Sequence, residues 1–174
     1  AVAGVAAVAA ELPDPQQFHF RLLLREQEGE ATLRWESDGE RYRLLLQRHV
    51  AGRELPEWQS EGLLGASGLQ PQRFEVRRKG RLRQGIHLHP PVQDRLSWLL
   101  QLAAVAQARD PEQPLPPLAI DLAGWRGGVQ RWVFAPVEGE ASEMPRRLLH
   151  LRGQHPVDAR YRIDVWLDPA RGHM

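Results

Sequence analysis

From Phe18 the chain alternates with a period of two. Phe18, Phe20, Leu22 and Leu24 take turns with His19, Arg21, Leu23 and Arg25, which gives a strand one buried face. Ala31, Leu33 and Trp35 repeat the pattern against Thr32, Arg34 and Glu36. After the turn Ser37-Asp38-Gly39, Tyr42, Leu44 and Leu46 do so against Arg41, Arg43 and Leu45. Gly39 serves where such a turn needs a positive φ, so these segments predict a meander. Weaker strand patterns follow at 58–64, 74–78 and 82–88, with Gly62, Gly65 and Gly68 marking a turn or bulge. Pro90-Pro91 closes that section. A second β series is predicted at 118–122, 131–135, 148–152 and 160–167. In the last of these Tyr161, Ile163, Val165 and Leu167 alternate with Arg160, Arg162, Asp164 and Trp166.

Between the two series the period changes to that of a helix, over 95–109. Asp94 is placed to cap it by accepting from free N–H groups of the first turn. Leu96, Leu99, Leu100 and Ala103 form one apolar stripe, and Trp98, Leu102 and Val105 a second. Ser97, Gln101 and Gln107 are left as a thin polar edge, and Asp110-Pro111 ends the helix. A helix apolar almost all round needs cover on more than one side. The expectation is a mainly β fold, with a strongly curved antiparallel sheet or half-open β-barrel wrapped around one apolar helix. Trp98, Leu102 and Val105, with Trp35, Trp132 and Phe134 from the strands, are the candidate lining of an apolar pocket between sheet and helix.

Length and composition narrow this further. The 174 residues suit one domain, read as 16–174 behind a flexible tail or linker at 1–15. Apolar residues at 42% and charged residues at 26% are ordinary for a globular chain. A formal charge of +1 supplies no electrostatic footprint for nucleic acid. No apolar run reaches the roughly 20 residues of a membrane span. Lys79 is the sole lysine, and the arginine, alanine, glycine and proline load reads as the codon bias of a GC-rich genome. Cysteine is absent, which excludes disulfides, thiolate nucleophiles and cysteine-based metal centres. Residues 1–10 hold only Ala, Val and Gly. Ala7-Val8-Ala9 has the form that ends a signal peptide, an Ala-rich linker after a removed anchor is the second reading, and a plain tail is the third.

Few residues carry a chemical signal. His87 and His89 stand one strand period apart and can share a metal if His19, His49 or His150 joins them; two surface histidines are the preferred reading, with no metal and no cofactor expected. Glu138, Glu140 and Glu143, and Asp164 and Asp168 around Trp166, are carboxylates that do acid–base work only if the fold brings them together. Ser67, in Gly65-Ala66-Ser67-Gly68, misses the nucleophile elbow. Arg77-Arg78-Lys79-Gly80-Arg81, with Arg83, reads as a charged hairpin tip that discourages edge pairing, with an anionic partner such as a lipid headgroup as the alternative. Core packing accounts for most of the six tryptophans.

Four motifs, in order, resemble a bacterial family known as domain of unknown function 3108. Ser60-Glu61-Gly62 with Gly68-Leu69-Gln70-Pro71 resembles its S-x-G…G-L-x-P stretch. Gln93-Asp94-Arg95-Leu96-Ser97 with Gln101-Leu102-Ala103 resembles its Q-D-R-L-S…Q-L-A helix. Trp132-Val133-Phe134 with Glu140 resembles its W-x-F…E element, and Val165-Trp166-Leu167-Asp168-Pro169 its closing W-L-x-P. The family's extra Phe-Asp strand before the helix is missing here, and its final strand continues where this chain stops at Met174. The resemblance implies an exported envelope protein of Gram-negative bacteria, periplasmic or tethered by an N-terminal anchor. It further implies a fold similar to the periplasmic lipoprotein carriers, a half-open β-barrel with a helical lid, and no catalytic residues.

The expected function is therefore a non-enzymatic envelope domain that binds a lipid or other apolar or amphipathic ligand between sheet and helix. The alternatives are a solid-core module that docks an envelope protein partner, and a hydrolase of envelope polymers.

Overall fold

In the computed structural model residues 12–110, 112–138 and 148–168 are described. The first alternating segments pair with their neighbours in sequence. β1 (Gln16–Leu24), β2 (Gln27–Ser37), β3 (Arg41–Val50), β5 (Glu57–Gly65), β6 (Gly68–Arg78) and β7 (Arg81–His87) lie side by side and antiparallel, with the short β4 (Arg53–Glu54) against β3. The second series forms a separate sheet. β8 (Leu118–Ala123), β9 (Val129–Pro136), β10 (Leu149–Gln154) and β11 (Arg162–Leu167) are ordered β11-β10-β9-β8. Between the two series in sequence runs α1 (Ser97–Ala108).

Register turns the alternation of the first sheet into rows across its inner face. One row reads Trp35, Leu44, Ser60, Phe74 and Ile86, since Trp35 faces Leu44, Leu44 faces Ser60, Ser60 faces Phe74 and Phe74 faces Ile86. The next reads Phe18, Leu33, Leu46, Trp58 and Val76. A third begins Phe20, Ala31, Arg48. The opposite face carries charge, with Glu75 held between Arg73 and Arg77 at 2.7 Å each. In the second sheet Trp132, Phe134 and Leu151 face inward. Gly153 pairs with Phe134, and a Cβ there would overlap the Phe134 ring.

The helix serves both sheets. Leu96 and Leu100 join the cluster of Trp35, Tyr42, Leu44, Leu69 and Phe74. Leu102, Ala103 and Ala106 join that of Ile120, Trp132, Phe134, Leu151 and Leu167. Gln93, just before the helix, pairs with β8 through its backbone: its N–H donates to Asp121 C=O and its carbonyl accepts from Ala123 N–H, at 2.8 and 2.9 Å.

The expected wrap around the helix is thus corrected. Both sheets are open: β1 and β7 end the first, and β11 and β8 the second, where β8 adds only a single bridge between Leu122 and Gln93. Among the described residues no strand pairing closes a curved half-barrel. Two flat-ended sheets cover an all-round apolar helix as well as one curved sheet does, so the helix's periodicity does not distinguish them. The half-barrel with a helical lid is corrected for the same reason, and with it goes the architectural ground for placing the chain among periplasmic lipoprotein carriers.

Candidate functional site

The first contact set is a buried polar chain at the start of the helix. Asp94 Oδ1 accepts from the N–H groups of Leu96 and Ser97, both at 2.8 Å, and Ser97 Oγ accepts from Asp94 N–H at 2.9 Å. This is a reciprocal cap with serine in the place usually held by Glu or Gln. Helical bonding begins here, as Asp94 C=O accepts from Trp98 N–H, ahead of the regular span. Asp94 Oδ2 accepts from Ser60 Oγ, which in turn bonds Tyr42 Oη at 2.9 Å. Asp94, Ser60 and Ser97 are fully buried. Burial pushes the Asp94 carboxyl above its ordinary range, against the bonds from Ser60, Ser97 and Leu96 that favour the anion. Burial likewise raises the Tyr42 phenol.

Two glutamines extend the set. Gln101 Oε1 accepts from Leu69 N–H at 2.8 Å and its Nε2 donates to Ser67 C=O at 2.7 Å. Gln93 Nε2 donates to Leu69 C=O at 2.8 Å. Both polar groups of Leu69 are thereby satisfied, one by a side chain on the helix and one by a side chain just before it, and Gly68, at φ +111°, leaves the room Gln101 needs. The residues of Ser60-Glu61-Gly62, Gly68-Leu69 and Gln93-Asp94-Arg95-Leu96-Ser97 thus meet through bonds that fix the helix on β5 and β6. Its centre, Ser60, Asp94 and Ser97, is buried, while the Gln101–Ser67 bond lies at the surface, and the set positions elements of the fold.

The second contact set is partly exposed to solvent. The helix covers the row through Trp35 and Leu44, while the row Phe18, Leu33, Leu46, Trp58, Val76 is half-buried and Phe20 is exposed. Trp58 meets Trp125 edge-on at 5.2 Å, and Phe74 touches both. The guanidinium of Arg48 lies over Trp58 at 4.1 Å and that of Arg95 over Trp125 at 3.9 Å. Arg48 Nη2 donates to Pro56 C=O, but the Nε atoms of both arginines are buried without a partner. Desolvation lowers the pKa of each. Sequence reasoning missed this site because Trp125 belongs to a turn after β8 and Arg95 to the turn before α1. Only the alternation placing Trp58 and Arg48 on the inner face was there to be found.

Of the six residues expected to line a pocket, four meet. Trp98 stacks on Phe134 at 5.6 Å, and Leu102 and Trp132 belong to the same cluster. Trp35 lies in the other cluster, stacked on Tyr42, with Nε1 donating to Pro13 C=O at 2.9 Å. Val105 is half-buried and joins neither. Two open grooves, of about 560 and 630 Å³, lie elsewhere, the first beside Asp38, Arg41, Glu61 and His87 and the second beside Arg21, Glu28 and His49. None of the six lines either.

The remaining candidates fall apart as sites or find structural roles. His87 ends β7 and His89 lies beyond it, both exposed. Among the described residues no group of His, Cys, Asp or Glu is arranged to hold a metal, and no helix is long and apolar enough to cross a membrane. His150 and Arg152 both bond Asp164 Oδ1 at 2.8 Å, with Arg162 3.3 Å from Oδ2, and Trp166 stacks on His150 at 4.4 Å. Glu138 is exposed; Glu140, Glu143 and Pro169 lie outside the described residues. Ser67 contributes its carbonyl to Gln101. Arg77 to Arg83 form the β6–β7 hairpin, turning at Lys79 and Gly80 with φ of +49° and +74°.

No family model matches this chain, nor does any curated protein or solved structure.

Proposed function

We propose that the chain binds an amphipathic ligand, and that it does so on the part of the first sheet's inner face that the helix leaves uncovered. The carrying observation is the partly buried row Phe18, Leu33, Leu46, Trp58, an apolar strip crossing four neighbouring strands and ending at the Trp58–Trp125 pair. A face of this kind loses water-exposed apolar area when an alkyl chain lies on it, at about 25 cal/mol per Å². Phe20, at 43% exposure, extends the strip at the β1 end. The proposal includes no chemical step.

Saturable quenching of tryptophan emission by a nitroxide-labelled long-chain amphiphile, below its micelle concentration, is the expected result. Leu46→Asp places a charge in the middle of the strip and is expected to abolish the signal, with circular dichroism confirming the fold. Absence of binding by the folded wild-type chain rejects the proposal.

A second reading rests on β1. This nine-residue strand ends its sheet, and Leu23 and Leu24 are 73% and 50% exposed. An apolar edge of this kind, unpaired among the described residues, pairs readily with another strand, which favours a module that docks a protein partner. Retention of partner binding by a Leu46→Asp variant that has lost the amphiphile separates the two.

A further inference from the structure

The arginines at the end of the strip say what the head of the ligand is. Arg73, Arg77, Arg131, Arg152, Arg160 and Arg162 each lie against a carboxylate. Arg48 and Arg95 are different. Each is half-buried on an indole ring, each has a buried Nε without a partner, and neither is in an ion pair among the described residues. A guanidinium drawn out of water normally takes a carboxylate or phosphate, because its planar fork matches two anionic oxygens. The indole faces offset part of the desolvation but supply no acceptor in the guanidinium plane.

Among the described residues the inner-face rows around Arg48 present no acid. Arg48 shares its row with Ala31 and Phe20 and stands two residues from Leu46 on the same face. The neighbouring rows present Leu33, Trp58, Val76 and Gln84, whose Nε2 is committed to Trp125 C=O. Resting on the binding proposed above, we infer that the ligand is a single-chain anionic amphiphile, its carboxylate or phosphate monoester held by Arg48 or Arg95 beside the Trp58–Trp125 pair and its alkyl chain along Leu46, Leu33 and Phe18. Strip and cations are contiguous, so one molecule reaches both. A neutral amphiphile would satisfy the strip and leave the arginines as they are; a cationic one would be repelled.

The test compares three probes of equal chain length with the intact chain at pH 8 and low salt: a fatty acid, the corresponding alcohol and the corresponding trimethylammonium. The fatty acid is expected to bind at least tenfold more tightly than the alcohol, and the ammonium more weakly than either. Arg48→Met with Arg95→Met keeps most of the apolar stem and is expected to bring the acid and the alcohol within about threefold, with the alcohol's affinity unchanged. If the double variant unfolds, the single variants and Arg48→Lys carry the comparison, since lysine retains charge without the fork. Equal binding of acid and alcohol by the wild type overturns this inference and leaves the amphiphile reading standing. So does an acid preference that survives both substitutions. Failure of all three probes removes both. Binding to anionic vesicles without binding of monomeric fatty acid overturns the inference in favour of a membrane surface.

Discussion

Ser60 and Asp94 are 34 residues apart in sequence and share a hydrogen bond, Ser60 Oγ donating to Asp94 Oδ2, with both side chains fully buried. The bond locks the helix start to β5, while the other carboxylate oxygen caps the helix itself. Asp94→Ala removes a cap worth about 1 kcal/mol and leaves buried donors unsatisfied at roughly 1–3 kcal/mol more. The expected loss is about 3 kcal/mol in urea unfolding, and less for Asp94→Asn, whose amide oxygen still accepts from the backbone.

The same residue predicts an unusual pH dependence. The folded state holds the Asp94 proton to higher pH than the unfolded chain does, because burial raises the carboxyl. Its contribution is therefore full below the unfolded range, about pH 4, and is lost as pH rises through the folded pKa. The stability difference between wild type and Asp94→Asn is expected to shrink in that direction. Asp164 behaves oppositely. Hydrogen bonds from Arg152 and His150 hold it below the ordinary range, so its contribution is present above about pH 4 and lost as pH falls through the folded pKa. A stability difference for Asp164→Asn that grows on acidification would contradict the pairing seen here.

Much of the local structure was readable from the chain. The alternation through Phe18, Trp35 and Tyr42 appears as β1, β2 and β3, and the segment read as 95–109 is helical over Ser97–Ala108. Asp94 does cap that helix. What alternation does not contain is which strand is an edge, and an edge decides between a closed wrap and two open sheets. The face proposed above for a ligand was hidden for a related reason. The helix's breadth of apolar surface drew attention to Trp98 and Leu102, whereas the uncovered surface belongs to strands whose own half-exposure follows from how little of the sheet the helix reaches.

The β1–β2 turn offers a stabilising change. Arg25 and Glu26 hold φ of +47° and +66°, a left-handed pair that costs L side chains about 1 kcal/mol or more each. Asn-Gly is the preferred pair for a two-residue hairpin turn of this kind. Replacing Arg25-Glu26 by Asn-Gly is expected to add about 1–2 kcal/mol and raise the thermal midpoint by several degrees. An unchanged or lower midpoint would count against this turn geometry.

Leu102 and Leu46 distinguish core from surface within one experiment. Leu102 is 1% exposed and packed among Trp132, Phe134 and Leu151, so Leu102→Ala leaves a cavity and is expected to cost about 2–5 kcal/mol. Leu46 sits half-buried between Leu33 and Trp58, where truncation leaves open surface, and about 1–2 kcal/mol is expected from the methylenes removed. Their effects on ligand run the other way. Leu46→Ala shortens the strip at its centre and is expected to weaken amphiphile binding about tenfold, while Leu102→Ala, measured where it is fully folded, leaves the affinity within about twofold. Titration of both variants with the same probe decides the matter, for a pocket beside the helix demands that Leu102 be the sensitive position and Leu46 the indifferent one.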